Sequence, residues 1–260
     1  DAHERLRNMQ ANKKHLRYSE AEWLMRVDLA AGYRLADRFG FSDIVWGHIT
    51  AKVPGTENFL INRFGLRFDE VCASNLVTVN LEGKVIDRGT AESDEDINLT
   101  GFVIHSAVHA ARTDVHCVMH SHSPGGIAVS ALKDGLVPMT IDAMTFYECT
   151  AYHDFEGLSV DIAERERMAA NLGDRNAMIL RNHGLLTCGA TVGEAFMLMY
   201  YLERACKVQM QVLGTGQEMA LPNAKLCQRA AEQSAQFPPG KYEWPALKRL
   251  VKEASPDYCE

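Results

Sequence analysis

The sequence predicts an α/β domain whose sheet is mixed or largely antiparallel. Two hairpin patterns occur early, short apolar strands alternate with helical segments in the middle of the chain, and a long helical pattern follows. The 260 residues are 47% hydrophobic and 23% charged, which is ordinary for a folded protein with a full core. Because no linker, repeat or low-complexity segment interrupts the chain, we expect one main domain.

The first predicted elements are a helix and two hairpins. Ser19 has the form of an N-cap with Glu22 three residues later, and the amphipathic helix that it begins is expected to stop at Gly40. Strand-forming residues flank Pro54-Gly55 and then Glu82-Gly83, which are turn pairs. The hairpin strands are therefore predicted over 44–53 with 58–62, and over 76–81 with 84–86.

The second half of the chain predicts helices and strands in alternation. The predicted helices cover 102–112, 124 to about 132, and 192 to about 213, the last with Thr191 as its N-cap. The predicted strands cover 116–122 and 177–181. We divide the chain into an N-terminal extension (1–18), the domain (19–214) and a C-terminal extension (215–260) that packs on the domain or on a neighbour.

Composition narrows the class of protein. A net charge of -7 and a pI near 5.8 argue against nucleic acid as a partner. The seven cysteines are scattered singly, which favours free thiols in a reducing compartment. The charged first residues do not resemble a signal peptide, and no apolar run is long enough to span a membrane. These observations predict a cytoplasmic protein without a membrane partner.

Three histidines form a candidate metal site. His120 and His122 are two residues apart on a predicted strand, so their side chains share one face. His183 follows another apolar strand and directly precedes Gly184. Three imidazoles suit Zn²⁺ and leave one coordination position for water or substrate. Spacing alone leaves the alternative of packing or turn histidines open, and His105 and His109 form another possible pair, which we interpret as helix-face residues.

Several motifs that follow one another in the order of a known family then identify a resemblance to it. Residues 46–50, 118–130 and 180–186 resemble the class II aldolase/adducin family, and 101–111 and 151–157 resemble its adducin-like branch. The resemblance implies a three-layer α/β/α sandwich around a largely antiparallel mixed sheet. It also implies a C4 homotetramer with sites near subunit interfaces, and a metal on His120, His122 and His183. The implied chemistry is metal-dependent cleavage of a carbon–carbon bond beside a carbonyl group.

The chain departs from the aldolases of that family at the phosphate pocket. Where those enzymes hold phosphate, this chain has bulky or apolar residues and few hydrogen-bond donors: Gly47-His48, Phe64-Gly65, Leu99 and Thr100. We therefore expect a small unphosphorylated substrate. Its candidate binding residues are Gly47, His48, Arg63 and Gly65, with Arg63 binding a carboxylate or, alternatively, being a solvated loop charge.

The catalytic carboxylate is a second departure. The position of the aldolase glutamate falls on Gly101, which has no side chain. Asp142, near the position of a tyrosine contributed by the neighbouring aldolase subunit, is our candidate catalytic residue. The alternatives nearby are Tyr147, Glu148 and Glu156, for which packing and turn roles are also open.

Three functions are compatible with this sequence. The first is a metal-dependent lyase that performs aldol cleavage or decarboxylation on a small hydroxy-carbonyl compound, with Zn²⁺ or else Fe²⁺ or Mn²⁺. The second is a non-catalytic, adducin-like scaffold, although the chain carries no long lysine-rich tail. The third is an iron-dependent, oxygenase-like decarboxylase, since a histidine site also suits Fe²⁺.

Overall fold

The computed structural model describes residues 15–90, 97–157 and 163–260. The helices are α1 (Glu20–Arg38), α2 (Leu99–Ala111), α3 (Pro124–Ser130), α4 (Ile141–Thr145), α5 (Glu164–Leu172), α6 (Val192–Gly214), α7 (Ala224–Ser234) and α8 (Glu243–Ala254). The strands are β1 (His48–Lys52), β2 (Phe59–Ile61), β3 (Val77–Val79), β4 (Val85–Asp87), β5 (Cys117–Ser121), β6 (Thr150–His153), β7 (Ala177–Leu180) and β8 (Gly184–Gly189). Short 3-10 turns cover His15–Arg17, Phe68–Glu70, Ala73–Asn75 and Pro256–Cys259.

The eight strands form one sheet in the order β4-β3-β2-β1-β5-β8-β7-β6. Every neighbouring pair is antiparallel except β6 and β7, which are parallel. The expectation of a mixed, largely antiparallel sheet is therefore confirmed. Strands β1, β5 and β8 lie in the middle of the sheet and are buried along their whole length.

Helices cover both faces of the sheet, as a three-layer α/β/α sandwich requires. Side chains alternate along β5, so Cys117 and Met119 pack into one core and Val118 into the other. The first core includes residues of α1, α3, α6 and α8, and the second includes residues of α2 and α5. The fold class inferred from the resemblance is confirmed.

The N-terminal half largely follows the sequence pattern. Ser19 caps α1 by accepting a hydrogen bond from the Glu22 backbone N–H at 3.1 Å, and both hairpins form. The first hairpin begins later than predicted, because residues 44–47 form a turn. Ile44 and Gly47 have φ angles of +50° and +85°, which a strand does not accommodate. Residues 1–14, most of the predicted N-terminal extension, lie outside the described residues.

Strand β8 is an element that the sequence pattern did not predict. Gly184 reads as a turn residue, yet it begins a strand that pairs with β5 along five residues. A Cβ on Gly184 would lie 2.4 Å from the Ser121 carbonyl oxygen, so only glycine permits this close pairing. The turn that carries His183 is therefore held directly against the end of β5.

The C-terminal residues 215–260 fold back over the domain. Trp244, Val251 and Tyr258 are buried in the same core as α1 and α6. The Ser74 backbone N–H donates to the Glu260 carbonyl at 2.9 Å, and Arg34 pairs with Asp257 at 2.7 Å. Within the described ranges, no helix has the length and apolar character needed to cross a bilayer.

Candidate metal centre

The three predicted histidines meet at one edge of the sheet. His120 lies at the end of β5, His122 follows that strand, and His183 lies in the turn between β7 and β8. Because β5 and β8 are antiparallel neighbours, the end of one strand meets the start of the other. The Nε2 atom of His122 lies 3.0 Å from Nε2 of His120 and 3.0 Å from Nε2 of His183. In the part of the chain that is described, these residues are the one group of three or more potential ligands close enough to share an ion.

The outer ring nitrogens fix the tautomers of two of these histidines. Nδ1 of His120 lies 2.9 Å from the Leu185 carbonyl oxygen, and Nδ1 of His122 lies 3.0 Å from a carboxylate oxygen of Asp43. Both partners only accept hydrogen bonds, so Nδ1 carries the proton in each ring. The Nε2 atoms of these two rings therefore face each other.

This arrangement fits a divalent cation. Burial lowers the pKa of His120 well below its usual value, and it lowers the pKa of His183 to about 4, so both rings are neutral at pH 7. Neutral imidazoles bind metal ions through the lone pair. Tetrahedral zinc ligands at 2.0–2.1 Å from the ion are separated by about 3.3 Å, close to the 3.0 Å seen here.

A carboxylate on another helix anchors the loop after His122. Glu203 of α6 is fully buried, and its oxygens accept hydrogen bonds from the Ser123 hydroxyl (2.5 Å) and from the backbone N–H groups of Gly125 (3.0 Å) and Gly126 (2.7 Å). The sequence analysis missed this residue. A glutamate among the apolar residues Met199, Leu202 and Cys206 of an amphipathic helix is a signal that could have identified it.

His48 and Gly101 lie against each other beside the candidate metal ligands. His48 lies directly opposite His120 on the neighbouring strand, and the two rings stack with centroids 6.0 Å apart. A Cβ on Gly101 would lie 2.3 Å from the His48 ring. The imidazole therefore occupies the space that any side chain at position 101 would need.

The His48 ring is fully enclosed. Both of its ring nitrogens are buried without a hydrogen-bond partner among the described residues. Burial, followed by the charges of His122 and His183, lowers the pKa of His48 to about 3. A neutral ring at this position has one N–H donor and one lone pair, neither of which is used by the described residues.

An aromatic contact joins the turn before His48 to the loop at 63–65. The rings of Trp46 and Phe64 pack with centroids 5.5 Å apart, and Trp46 is 47% exposed. Gly47 and Gly65 both have positive φ angles, which turns the chain sharply beside each ring. The predicted binding residues Gly47, His48, Arg63 and Gly65 thus lie in or next to two adjoining turns.

The predicted catalytic residue Asp142 lies in a different part of the chain. It is on α4, where its carboxylate pairs with Arg204 of α6 at 3.1 Å. The alternative Glu156 pairs with Arg167, and Glu148 is exposed at a positive φ angle of +57°. The structure brings together the three metal histidines and His48, and it places Asp142 with Arg204 rather than with them.

His105 and His109 face the sheet from α2. The Thr50 hydroxyl lies between them, 2.7 Å from Nδ1 of His105 and 2.8 Å from Nε2 of His109. Burial lowers the pKa of His105 well below its usual value and that of His109 to about 3. These residues, which the sequence offered as another metal pair, are core residues joined by a hydroxyl group.

Comparison with known proteins of similar sequence and fold assigns the chain to a family. Residues 27–210 match the family described as Class II Aldolase and Adducin N-terminal domain. A protein of Caulobacter vibrioides named as an aldolase class 2 protein is 45% identical over 246 residues, covering 93% of this chain and 94% of that one. Alpha-adducin of Rattus norvegicus is 46% identical over 200 residues, covering 76% of this chain and 27% of adducin.

The fold is shared with a solved enzyme structure. The L-fuculose 1-phosphate aldolase of Glaciozyma antarctica superposes with a TM-score of 0.81 at 31% identity, covering 91% of this chain and 92% of that chain. Sequence and fold agree. The chain belongs to the class II aldolase/adducin family.

Proposed function

We propose that this protein is a metal-dependent lyase that cleaves or decarboxylates a small, unphosphorylated hydroxy-carbonyl compound. The observation that carries the proposal is the convergence of the Nε2 atoms of His120, His122 and His183. Zn²⁺ is the first choice of ion for three imidazoles, with Fe²⁺ or Mn²⁺ as the alternatives. We place the enzyme in the cytoplasm as a homotetramer, as expected from the composition and the resemblance.

The proposed chemistry uses the enclosed, neutral character of the site. A divalent ion held there supplies a Lewis acid for the negative charge that develops on a carbonyl oxygen. The three imidazoles hold that ion, and Glu203 fixes the loop from which His122 projects. His48, whose ring nitrogens lack a hydrogen-bond partner among the described residues, is the proposed donor to the polar end of a substrate, which requires movement of its enclosed ring.

An unphosphorylated substrate is supported by the two adjoining turns. The Trp46–Phe64 contact presents ring faces, which do not bind phosphate, where the resemblance implies that the related aldolases hold phosphate. Arg63 lies next to Phe64 in the same loop, where we propose that it binds a substrate carboxylate. The substrate class that follows is a hydroxy- or keto-acid.

The acid or base of the reaction does not come from position 101. Gly101 cannot carry a side chain while His48 fills the adjacent space. Asp142 stays our candidate, acting in the site of a neighbouring protomer of the homotetramer. Its use there requires release from Arg204, so Asp142→Asn is expected to reduce kcat without unfolding the protein.

A substrate panel tests the activity. The enzyme loaded with Zn²⁺, Fe²⁺ or Mn²⁺ in turn is expected to convert at least one unphosphorylated hydroxy-keto acid and no ketose phosphate. His183→Ala is expected to abolish turnover, whereas His116→Ala, which changes an exposed histidine, is expected to leave it intact. Turnover of ketose phosphates alone would contradict the substrate class.

The second candidate is an adducin-like scaffold, which the similarity to alpha-adducin favours. A scaffold predicts no turnover of any compound in the panel, with any of the three ions. It also predicts that His183→Ala leaves protein binding unaffected, because the histidine cluster then has no role in the interaction.

A further inference from the structure

We propose that Asp43 is a positioning residue that holds His122 in the orientation and tautomer needed to bind a metal ion. The proposal rests on the metal-binding role proposed above for the three histidines. Asp43 lies in the turn before β1, 79 residues from His122 in sequence, and nothing in the sequence pattern connected the two. It is the one side chain that the described structure places on an outer nitrogen of the cluster.

His122 needs such a partner more than His120 does. His120 is fully buried on β5, and a backbone carbonyl accepts its Nδ1–H. His122 lies beyond the end of the strand, is partly exposed, and has only the Asp43 carboxylate on its Nδ1. Without that carboxylate, the ring is free to rotate and to carry its proton on either nitrogen.

The carboxylate does more than fix the angle of the ring. A histidine ligand whose outer N–H donates to a carboxylate is a stronger base at its inner nitrogen, and such outer partners strengthen metal binding. Asp43 also places a carboxylate beside the site, and a negative charge there favours a divalent cation. Both effects act on metal affinity before any substrate is present.

Backbone strain beside Asp43 is a separate observation. Ile44 has a φ angle of +50°, a region that β-branched residues rarely adopt, and its side chain is 71% exposed. Burial of Ile44 therefore cannot account for this conformation. The turn is closed by the Trp46 N–H donating to the Asp43 carbonyl at 2.7 Å, and it directs the Asp43 carboxylate to His122. Strain of this kind collects at functional sites.

The test compares metal affinity among four proteins. Zn²⁺ affinity of the wild-type chain, Asp43→Ala, Asp43→Asn and Asp134→Ala is measured by competition with a chromophoric chelator. Asp43→Ala is expected to bind 10- to 100-fold more weakly. Asp43→Asn is expected to fall between, because its amide oxygen still accepts the Nδ1–H but carries no charge. Asp134→Ala, which removes an exposed carboxylate in another turn, is expected to match the wild type.

A spectroscopic readout separates positioning from a general structural effect. In ¹⁵N-labelled, metal-free protein, the His122 ring is expected to carry its proton on Nδ1, and Asp43→Ala is expected to show a mixture of tautomers. Equal Zn²⁺ affinity of Asp43→Ala and wild type, or an unchanged His122 tautomer, would overturn the proposal for Asp43 alone. A wild-type chain that binds none of Zn²⁺, Fe²⁺ and Mn²⁺ would overturn the proposed function, and the tautomer measurement then decides the proposal for Asp43.

Discussion

Two groups of three histidines lie side by side in this protein and differ in where their ring nitrogens point. The metal cluster (His120, His122 and His183) sits at the sheet edge, with three inner nitrogens converging. The buried cluster (His48, His105 and His109) lies between α2 and β1, where Thr50 joins two of the rings. The stacked rings of His48 and His120 connect the clusters.

The comparison shows that spacing alone does not predict which histidines converge. His120 and His122 share a strand-like spacing, and His105 and His109 share a helical spacing that equally suits a metal pair. What separates the clusters is the set of partners. Acceptors on the outer nitrogens direct free lone pairs inward in the metal cluster, whereas a hydroxyl lies between the rings in the buried cluster.

The largest expected effect is the acid sensitivity of the buried cluster. The pKa of His109 is lowered to about 3, while the unfolded chain takes up its proton near pH 6.5. The stability that the neutral ring contributes is therefore intact above pH 6.5 and is lost as the pH falls toward 3, by up to about 1.4 kcal/mol per pH unit for each such ring. Urea unfolding of metal-free protein between pH 7 and 4.5 checks this. An equal slope of unfolding free energy against pH in His109→Leu would contradict this expectation.

Thr50→Val tests the link within the buried cluster. The substitution removes the hydroxyl that contacts His105 and His109, leaving two more buried ring nitrogens without a partner. We expect a loss of about 2–4 kcal/mol in the free energy of unfolding. Zn²⁺ affinity is expected to be unchanged, because Thr50 contacts no metal ligand in the described structure; a weakened affinity would show that the clusters act as one unit.

Gly101→Ala tests the junction between the clusters. In a helix, alanine normally stabilises relative to glycine by about 0.5–1 kcal/mol, but here the Cβ would lie 2.3 Å from the His48 ring. We expect a net loss of about 1–3 kcal/mol from overpacking. The loss is expected to disappear in a His48→Ala background, as measured by a double-mutant cycle of urea unfolding. Additive effects would show that the two residues do not compete for space.

Ile44→Asn is expected to have the smallest effect, and a stabilising one. Asparagine tolerates the left-handed region that Ile44 occupies, so the thermal midpoint is expected to rise by the equivalent of about 1 kcal/mol. Zn²⁺ affinity is expected to remain at the wild-type level, since Asp43 is retained. A lower midpoint would mean that the isoleucine side chain stabilises this turn.

Much of the fold, and much of the metal cluster, could be predicted from local sequence pattern. The N-cap at Ser19, both hairpins and the helix from Val192 are set by neighbouring residues, so the sequence predicts them. His120 and His122 could be paired by strand periodicity. His183 was a candidate because it follows an apolar strand and precedes Gly184, and several motifs in register supported the set of three.

Contacts between distant residues are one part of the structure that was not predicted. Asp43 meets His122 across 79 positions and Glu203 meets Ser123 across 80, and no periodicity links such residues. His48 and Gly101 were each noticed as departures from the aldolase pattern, but their dependence on one another appears only when α2 packs on β1. Strand β8 was not predicted because Gly184 is a residue typical of turns. In the folded protein it instead allows two strands to pack closely.

The distinction between the metal cluster and the buried cluster is tested most directly by the metal stoichiometry of three proteins purified without chelator. Elemental analysis is expected to find one equivalent of a divalent metal in the wild type, none in His183→Ala and one in His109→Ala. His183 is half-buried in a turn, so its loss is expected to leave the circular dichroism spectrum unchanged. Metal retained by His183→Ala, or absent from the wild type, would contradict the assignment of the metal to this cluster.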